Sequence, residues 1–417
     1  MQIRIRLSIM MFLEYFIWGA WYVTVGTWLG VGLRFDGKSI GLIAGTTALG
    51  AIVSPLVTGA IADRYFAAQK ILGALHLVGA VLLFAVAQQH SFAPVYGLLL
   101  AYCFCYMPTL ALTNAICFRH VQNVQEQFTG IRVLGTLGWI VAGLLIGFAK
   151  IESTSHPVEL AAICSLLMAA YSFTLPPTPP QEYQSQFSLK SLFPQGVLHM
   201  LKKRDFAVFV VASFLICIPL QFYYAFTNLF LNEIGVANAA GKMTISQMSE
   251  LLFMVTIPWF FRRLGVKYML AAGMAAWMIR YLLFAFGNAQ RGMWMLYIGL
   301  VLHGICYDFF FVSGQIYVDK SVPESIRAAA QGFITLATYG VGMLVGSSLS
   351  GYVVDLFRRQ TTTVVSHEWR AIWIIPALAS GLVLGLFLPL FRERHGSSPM
   401  PEKSLRSEGS VSINIPT

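Results

Sequence analysis

The chain has 417 residues, of which 57% are hydrophobic and 11% charged, and its mean hydropathy is +0.68. An average soluble domain is about a quarter charged, so this composition excludes a water-solvated globule. A membrane crossing needs roughly twenty apolar residues, which leaves room for a dozen spans and none for a large soluble domain; the formal charge of +10 is spread over short connecting segments, a pattern of membrane topology and not of a nucleic-acid partner.

The first apolar run, 7–33, follows Arg4 and Arg6 as a signal peptide would. It continues through Glu14, Trp18, Trp21 and Trp28 without a small-residue cleavage site, and so reads as a retained helix. Further runs fall at 38–62, 69–88, 92–116, 131–150 and 158–176, then at 206–232, 243–261, 267–286, 293–317, 326–355 and 369–391, making twelve predicted helices. Segment 177–205, preceded by Pro176, opens with Pro177, Pro179 and Pro180 and ends in Lys202, Lys203 and Arg204, which predicts a semi-rigid cytoplasmic linker between a six-helix bundle at 1–176 and another at 206–391. The tail, 392–417, is rich in Ser, Pro and charge and is expected to be disordered. All six cysteines lie in or beside apolar runs without a Cys-x-x-Cys pair, and read as packing residues.

With an even helix count both termini share one side. That side carries Arg4, Arg6, Arg64, Lys70, Arg119, Lys202, Lys203, Arg204, Arg262, Arg263, Lys320, Arg327 and Arg392, against Arg34, Lys38, Lys150, Lys242, Arg291, Arg358, Arg359 and Arg370 opposite. The excess places both termini in the cytoplasm. The halves echo each other: Cys105 and Tyr106 precede Ile131 and Arg132, Cys306 and Tyr307 precede Ile326 and Arg327, and a Gly-rich helix follows in each case. A duplicated six-helix unit is the economical account.

After the second run, Gly59, Asp63, Arg64 and Lys70 resemble the Gly-x-x-x-Asp-Arg loop of the major facilitator superfamily, although Phe66 stands where that signature has glycine. Arg263, Gly265 and Lys267, preceded by Arg262, keep the corresponding Arg-x-Gly-x-Lys core in the second half. Asp63 and Arg64 would form a gating charge latch, the plainer alternative being charges that set topology. More closely, Phe35 to Gly41, Tyr106 to Leu110, Ile131 to Gly138, Ser246 to Glu250 and Tyr307 to Phe310 are similar to segments of the bacterial nucleoside:proton symporter family, over 1–391. The resemblance implies an all-α polytopic membrane protein with twelve transmembrane helices in two pseudo-symmetric six-helix bundles, the major facilitator fold. It further implies a multi-pass protein of the bacterial cytoplasmic (inner) membrane that imports nucleosides with protons and works as a monomer.

Charged groups at lipid depth are expensive, so each needs a reason. Arg132, Thr136 and Trp139 stand at i, i+4 and i+7 and share a helix face, offering a donor fork, a hydroxyl and an aromatic plane. A nucleoside has ribose hydroxyls, base edges and a stackable ring to match; the alternative is that Arg132 only caps the helix end. Gln221 with Tyr224, and Gln247 with Glu250, are i, i+3 pairs on consecutive helices. By resemblance Arg132, Thr136, Trp139, Gln221, Gln247 and Glu250 match substrate-contacting positions, whereas Tyr224 replaces an asparagine and His303 a tyrosine. Interhelical bonding for Gln221, packing for Tyr224 and a hydrogen-bonded interior role for His303 are the structural alternatives. Asp308, set among aromatics such as Phe309 and Phe310, and Glu250 are the proton-coupling candidates, unless either forms a permanent ion pair with Arg132 or Arg280. Glu14 suits pairing or proton relay equally, and Arg280 suits snorkelling or balancing a carboxylate.

No Walker loop, dinucleotide fingerprint or His-Glu-x-x-His helix occurs, and the eight histidines lack paired spacing. The expectation is therefore a transporter and not an enzyme, without metal or cofactor, the proton being the coupling ion. A proton symporter for a sugar or other small polar solute on the same fold is the first alternative, and a non-transporting membrane receptor the second.

Overall fold

The computed structural model describes residues 2–57, 66–121, 127–180, 195–360 and 365–392. Asp63 and Arg64, the expected gating latch, lie outside the described residues, as do most of the linker and the tail. Among the described residues the long helices are α1 (Gln2–Gly32), α2 (Gly37–Ser54), α3 (Ala68–Ala87), α4 (Phe92–His120), α5 (Thr129–Ala149), α6 (His156–Ser172) and α7 (Arg204–Glu233). A continuous stretch, Ala239–Phe286, breaks at Gly265, whose φ of 67° reverses the chain, so it forms α8 (239–264) and α9 (266–286). Then come α10 (Met293–Ser321), α11 (Glu324–Leu356) and α12 (Trp369–Leu390). The twelve predicted spans are thus present; α6, at 17 residues, is shorter and more polar at its start than the others. A two-stranded antiparallel hairpin, β1 (Arg358–Gln360) and β2 (Val365–His367), links α11 to α12.

The outward surface stays apolar at Phe148, Phe173, Val255, Leu378 and Leu382, which are more than half exposed, a surface suited to lipid and not to water. Inside, α1 packs on α5 and α6, and α3 on α4 and α6; in the second half α8, α9, α10 and α12 pack together, and α7 packs on α11 and α12. The halves meet through α5 with α8, α2 with α11, and α1 with α7. Six places along the order of helices, α5 with α8 becomes α11 with α2, so these joints are equivalent under an internal two-fold. The repeated glycines explain them. Across the joints Gly143 and Gly147 lie against α8 and Gly351 against Gly37 of α2; within the halves Gly138 lies against the Phe12 backbone of α1 and Gly346 against the Cys217 carbonyl of α7. A Cβ on Gly346 would come to 2.9 Å from that carbonyl oxygen, so only glycine permits the helices to touch backbone to backbone.

On the face opposite the termini the joints are also tied by polar bonds. Glu152, in the α5–α6 turn and 5% exposed, accepts from Asn228 Nδ2 (2.8 Å) and Asn232 Nδ2 (2.7 Å) on α7 and from the Ala240 N–H (3.1 Å) at the start of α8. Thr27 of α1 donates to Asn228 Oδ1 at 2.5 Å. Asp355, ending α11, accepts from the Gly37 and Lys38 N–H groups at 2.6 and 2.9 Å, a carboxylate on the positive end of α2. The molecule is closed on this face. On the opposite face the start of the linker is held by His120 Nε2 on Thr178 Oγ1 (3.0 Å), by Gln69 accepting the Thr178 N–H (2.9 Å) and by Arg119 donating to the Pro179 carbonyl.

Candidate functional site

Beneath the closed face a narrow cleft lies between α1, α5, α7 and α8; its free volume is only about 10 Å³, far below that of a small-molecule site, so it must widen to take a solute. Trp139, Tyr224 and Gln247, three of the sequence-predicted residues, line it together with Gly19, Val23, Tyr223 and Met243. Aromatic rings from both halves meet around it. Trp139 packs edge-on against Trp18 (5.4 Å between centroids) and Tyr22 (6.4 Å) of α1, and Tyr22 lies 5.7 Å from Tyr224 of α7. Tyr224 continues to His303 at 6.2 Å, and His303 to Tyr307 at 6.1 Å, whose hydroxyl accepts from Tyr339 at 2.8 Å. A flat, polar-edged solute between these rings would be sandwiched by planes from opposite halves.

The predicted face of α5 is intact. Arg132 and Thr136 are half-buried one turn apart, and the Arg132 guanidinium lies 4.0 Å over the Tyr15 ring of α1, which fixes its plane. This favours a presented donor fork over a mere helix-end cap. Glu250, half-buried on α8 one turn beyond Gln247, feels the Arg132 charge from across the halves and in turn acts on Asp308. Among the described residues no ion pair within 4.0 Å involves Arg132, Glu250 or Asp308, so neither carboxylate is locked to a cation. Gln221 is fully buried on α7, and both atoms of its amide lack a hydrogen-bond partner. An orphaned buried amide costs about 1–3 kcal/mol; the polar group beside Gln221 is the Tyr22 hydroxyl of α1, in the other half.

Asp308 is 1% exposed, and neither carboxylate oxygen has a donor. It opens a π-helical turn, Asp308–Val312, inside α10, a local widening of the helix of the kind found at functional sites. A second such turn, Leu336–Gly342, carries Tyr339 on α11. His303 sits behind Tyr224, stacked on Tyr223 at 5.1 Å, and its Nδ1 receives Arg280 Nη1 at 3.0 Å. The interior hydrogen-bonded reading thus fits His303 in this conformation. Arg280 departs from both expectations. It neither snorkels nor balances a carboxylate, being fully buried with its guanidinium 3.5 Å over the Tyr223 ring.

Sequence reasoning missed Tyr15, Trp18, Tyr22 and Tyr339 as lining or supporting groups. The density of Trp and Tyr in α1 was the available signal, but a single helix's sequence does not say which face meets the cleft.

With this geometry in view, the comparisons are specific. A family model described as nucleoside H+ symporter matches residues 1–396. YegT of Escherichia coli (strain K12) is 41% identical over 404 residues, covering 94% of this chain and 95% of that protein. The nucleoside permease NupG of the same strain is 32% identical over 414 residues, covering 96% of this chain and 98% of that protein. The crystal structure of nucleoside transporter NupG superposes with a TM-score of 0.86 at 31% identity over 94% of this chain and 100% of that one. A POT family transporter in complex with a thioalcohol-conjugated peptide, at 13% identity and a TM-score of 0.71, shares the fold alone. The chain is therefore a multi-pass membrane transport protein and not an enzyme, and it belongs to the nucleoside H+ symporter family.

Proposed function

We propose that this protein imports nucleosides together with protons by alternating access, the halves at 1–176 and 206–391 rocking about the cleft while the linker at 177–205 spans them. The observation that carries the reading is Gln221: a fully buried amide that makes no well-formed hydrogen bond and stands beside the Tyr22 hydroxyl of α1, on α7 where the aromatic planes of both halves converge. Trp139 and Tyr224 would clamp the base, Gln221 and Gln247 would bond its edge, and Arg132, Thr136 and Glu250 would hold the ribose. Tyr224 and His303, where the family pattern has asparagine and tyrosine, would set which nucleoside is preferred. Family membership and the kinship to NupG support this reading over a sugar symporter or a receptor.

Asp308 and Glu250 would carry the coupling proton. A charge on Asp308 would go uncompensated in the state described, since no donor or cation meets it, and a proton removes that cost. Coupling requires protonation to favour one conformational state, because a ligand bound equally by both shifts nothing. The excess of basic residues on the terminal face supports cytoplasmic termini, in the inner membrane of a bacterium. The cleft is enclosed by one chain, which supports a functional monomer. The test is accumulation of radiolabelled uridine and adenosine in proteoliposomes with and without an inward proton gradient. Gradient-driven accumulation of either is expected; equilibration without accumulation would refute coupling, and no uptake of either would refute the nucleoside assignment.

A further inference from the structure

Away from the cleft, a second buried acid–base cluster joins α1, α3, α4 and α6. Glu14 is fully buried, and its Oε2 lies 3.0 Å from Nε2 of His76, itself 1% exposed. Oε1 lies 2.6 Å from the Thr109 hydroxyl, and the Tyr106 hydroxyl donates to the Glu14 carbonyl at 2.6 Å. On the far side of His76, Nδ1 lies 3.0 Å from Ser165 Oγ, and that hydroxyl donates to the His76 carbonyl at 2.9 Å.

Counting hydrogens shows what the cluster can hold. Ser165 has one hydroxyl hydrogen and spends it on the His76 carbonyl, so Nδ1 must carry its own proton. One further proton then lies between Nε2 and Oε2, on one or the other. Thr109 also has a single hydrogen but two oxygens within reach, Glu14 Oε1 at 2.6 Å and the Tyr106 carbonyl at 2.5 Å. Both contacts are hydrogen bonds only when Oε1 supplies a proton of its own. Without it the cluster is neutral and one Thr109 contact is lost; with it the cluster is singly positive and every contact is made. Tyr15, Tyr102, Tyr106, Cys103 and Cys105 are the other titratable groups near it, and Arg132 lies on the other side of the Tyr15 ring. No fixed charge is therefore hydrogen-bonded to the pair.

The cluster also abuts the cleft. Tyr106 packs edge-on against Trp18 (6.1 Å), which packs on Trp139, and Tyr15 follows Glu14 in the chain and carries Arg132 on its face. We infer that Glu14 and His76 form a second proton-binding site in the first half, filled and emptied once per transport cycle alongside the proton carried at Asp308 and Glu250. The inference rests on the coupled-import reading above. The proton enters as H+ and leaves as H+ on the other side, so no other reactant is needed.

The two-site mechanism fixes the thermodynamics of accumulation. With membrane potential clamped at zero, each proton moving down a gradient of about one pH unit multiplies the attainable nucleoside ratio by about ten. Wild-type proteoliposomes are expected to approach about 100-fold uridine accumulation, and Glu14→Gln about 10-fold, with gradient-free uridine exchange retained. A ratio near 10-fold in the wild type, or near 100-fold in Glu14→Gln, would overturn the second site while leaving coupled import standing. No accumulation by the wild type would instead sink the coupled-import reading, and this site with it. If Glu14→Gln loses exchange, a wild-type ratio near 10-fold still overturns the second site, since two transported protons would sustain about 100-fold.

Discussion

Replacing Glu152 by Gln disturbs the polar tie across the closed face with almost no change in shape. Asn228 and Asn232 both donate to Oε2, whereas Oε1 takes the Ala240 N–H. With its carbonyl kept under the two asparagines, a glutamine must turn its NH2 towards the Ala240 N–H, and one bond to a charged acceptor is lost. Such a bond contributes about 1.5–3 kcal/mol. Because donor and acceptor belong to opposite halves, the loss falls on the closed state alone and shifts the closed-to-open ratio by about 10- to 140-fold. The assay is labelling of a single cysteine at Val23, a half-buried residue lining the cleft, by a membrane-impermeant maleimide, in a background without the native cysteines. The labelling rate from the face of Glu152 should rise by at least tenfold in Glu152→Gln. A rate within about twofold of the parent would refute the assignment of Glu152 as the closing tie.

Asp308→Asn should remove the proton carried there and cut the attainable accumulation about tenfold per pH unit of gradient, while sparing exchange in the absence of a gradient; undiminished accumulation would remove Asp308 from coupling. Arg132→Lys loses the planar fork stacked on Tyr15, a difference of about 1–2 kcal/mol, so KM should rise about 5- to 30-fold with the thermal midpoint unmoved. Asp36, in the turn before α2, is pulled up by partial burial but held below the ordinary carboxylate range by the stronger combined effect of its Ser39 hydrogen bonds and the charges of Arg358 and Lys38. A lowered folded pKa means that its stabilisation is complete above the unfolded value of about 3.9 and is lost as pH falls through the folded one. Asp36→Asn should therefore lower the detergent-solubilised Tm at pH 7 and flatten its decline below about pH 4, whereas an unchanged acid limb would remove Asp36 from that role.

What was legible in the sequence was whatever a single helix dictates. Hydropathy placed twelve spans, and a spacing of four and then three residues put Arg132, Thr136 and Trp139 on one face, where the structure keeps them. The lone acid among aromatics at Asp308 was visible for the same reason, since lipid-depth charge is rare enough to stand out. What joins helices was not legible. Glu14 reads as an isolated acid until His76, 62 residues later, closes on it, and Glu152 reads as an ordinary turn carboxylate until α7 and α8 bring three donors to it. Arg280 misled because snorkelling is the usual fate of a long cation near a helix end, yet here an aromatic face and an imidazole from two other helices enclose it. The break at Gly265 was anticipated as a boundary between two spans, though not that the helical path would run almost unbroken on both sides of it.

The glycine joints bear on how such a molecule can move at all. Where bulky side chains interlock across a boundary, parting the two sides forces each chain out of its rotamer and leaves voids behind. At Gly147 against the Gly241 backbone and Gly351 against Gly37 there is little to disengage: smooth backbone surfaces separate, and what holds them is the handful of bonds to Glu152, Asn228 and Asp355. A bearing of this kind separates friction from fastening. The surfaces set the direction of travel, and a few carboxylates set how readily the journey begins, so the rate of cycling can be tuned by changing an acid or an amide without recutting the fold.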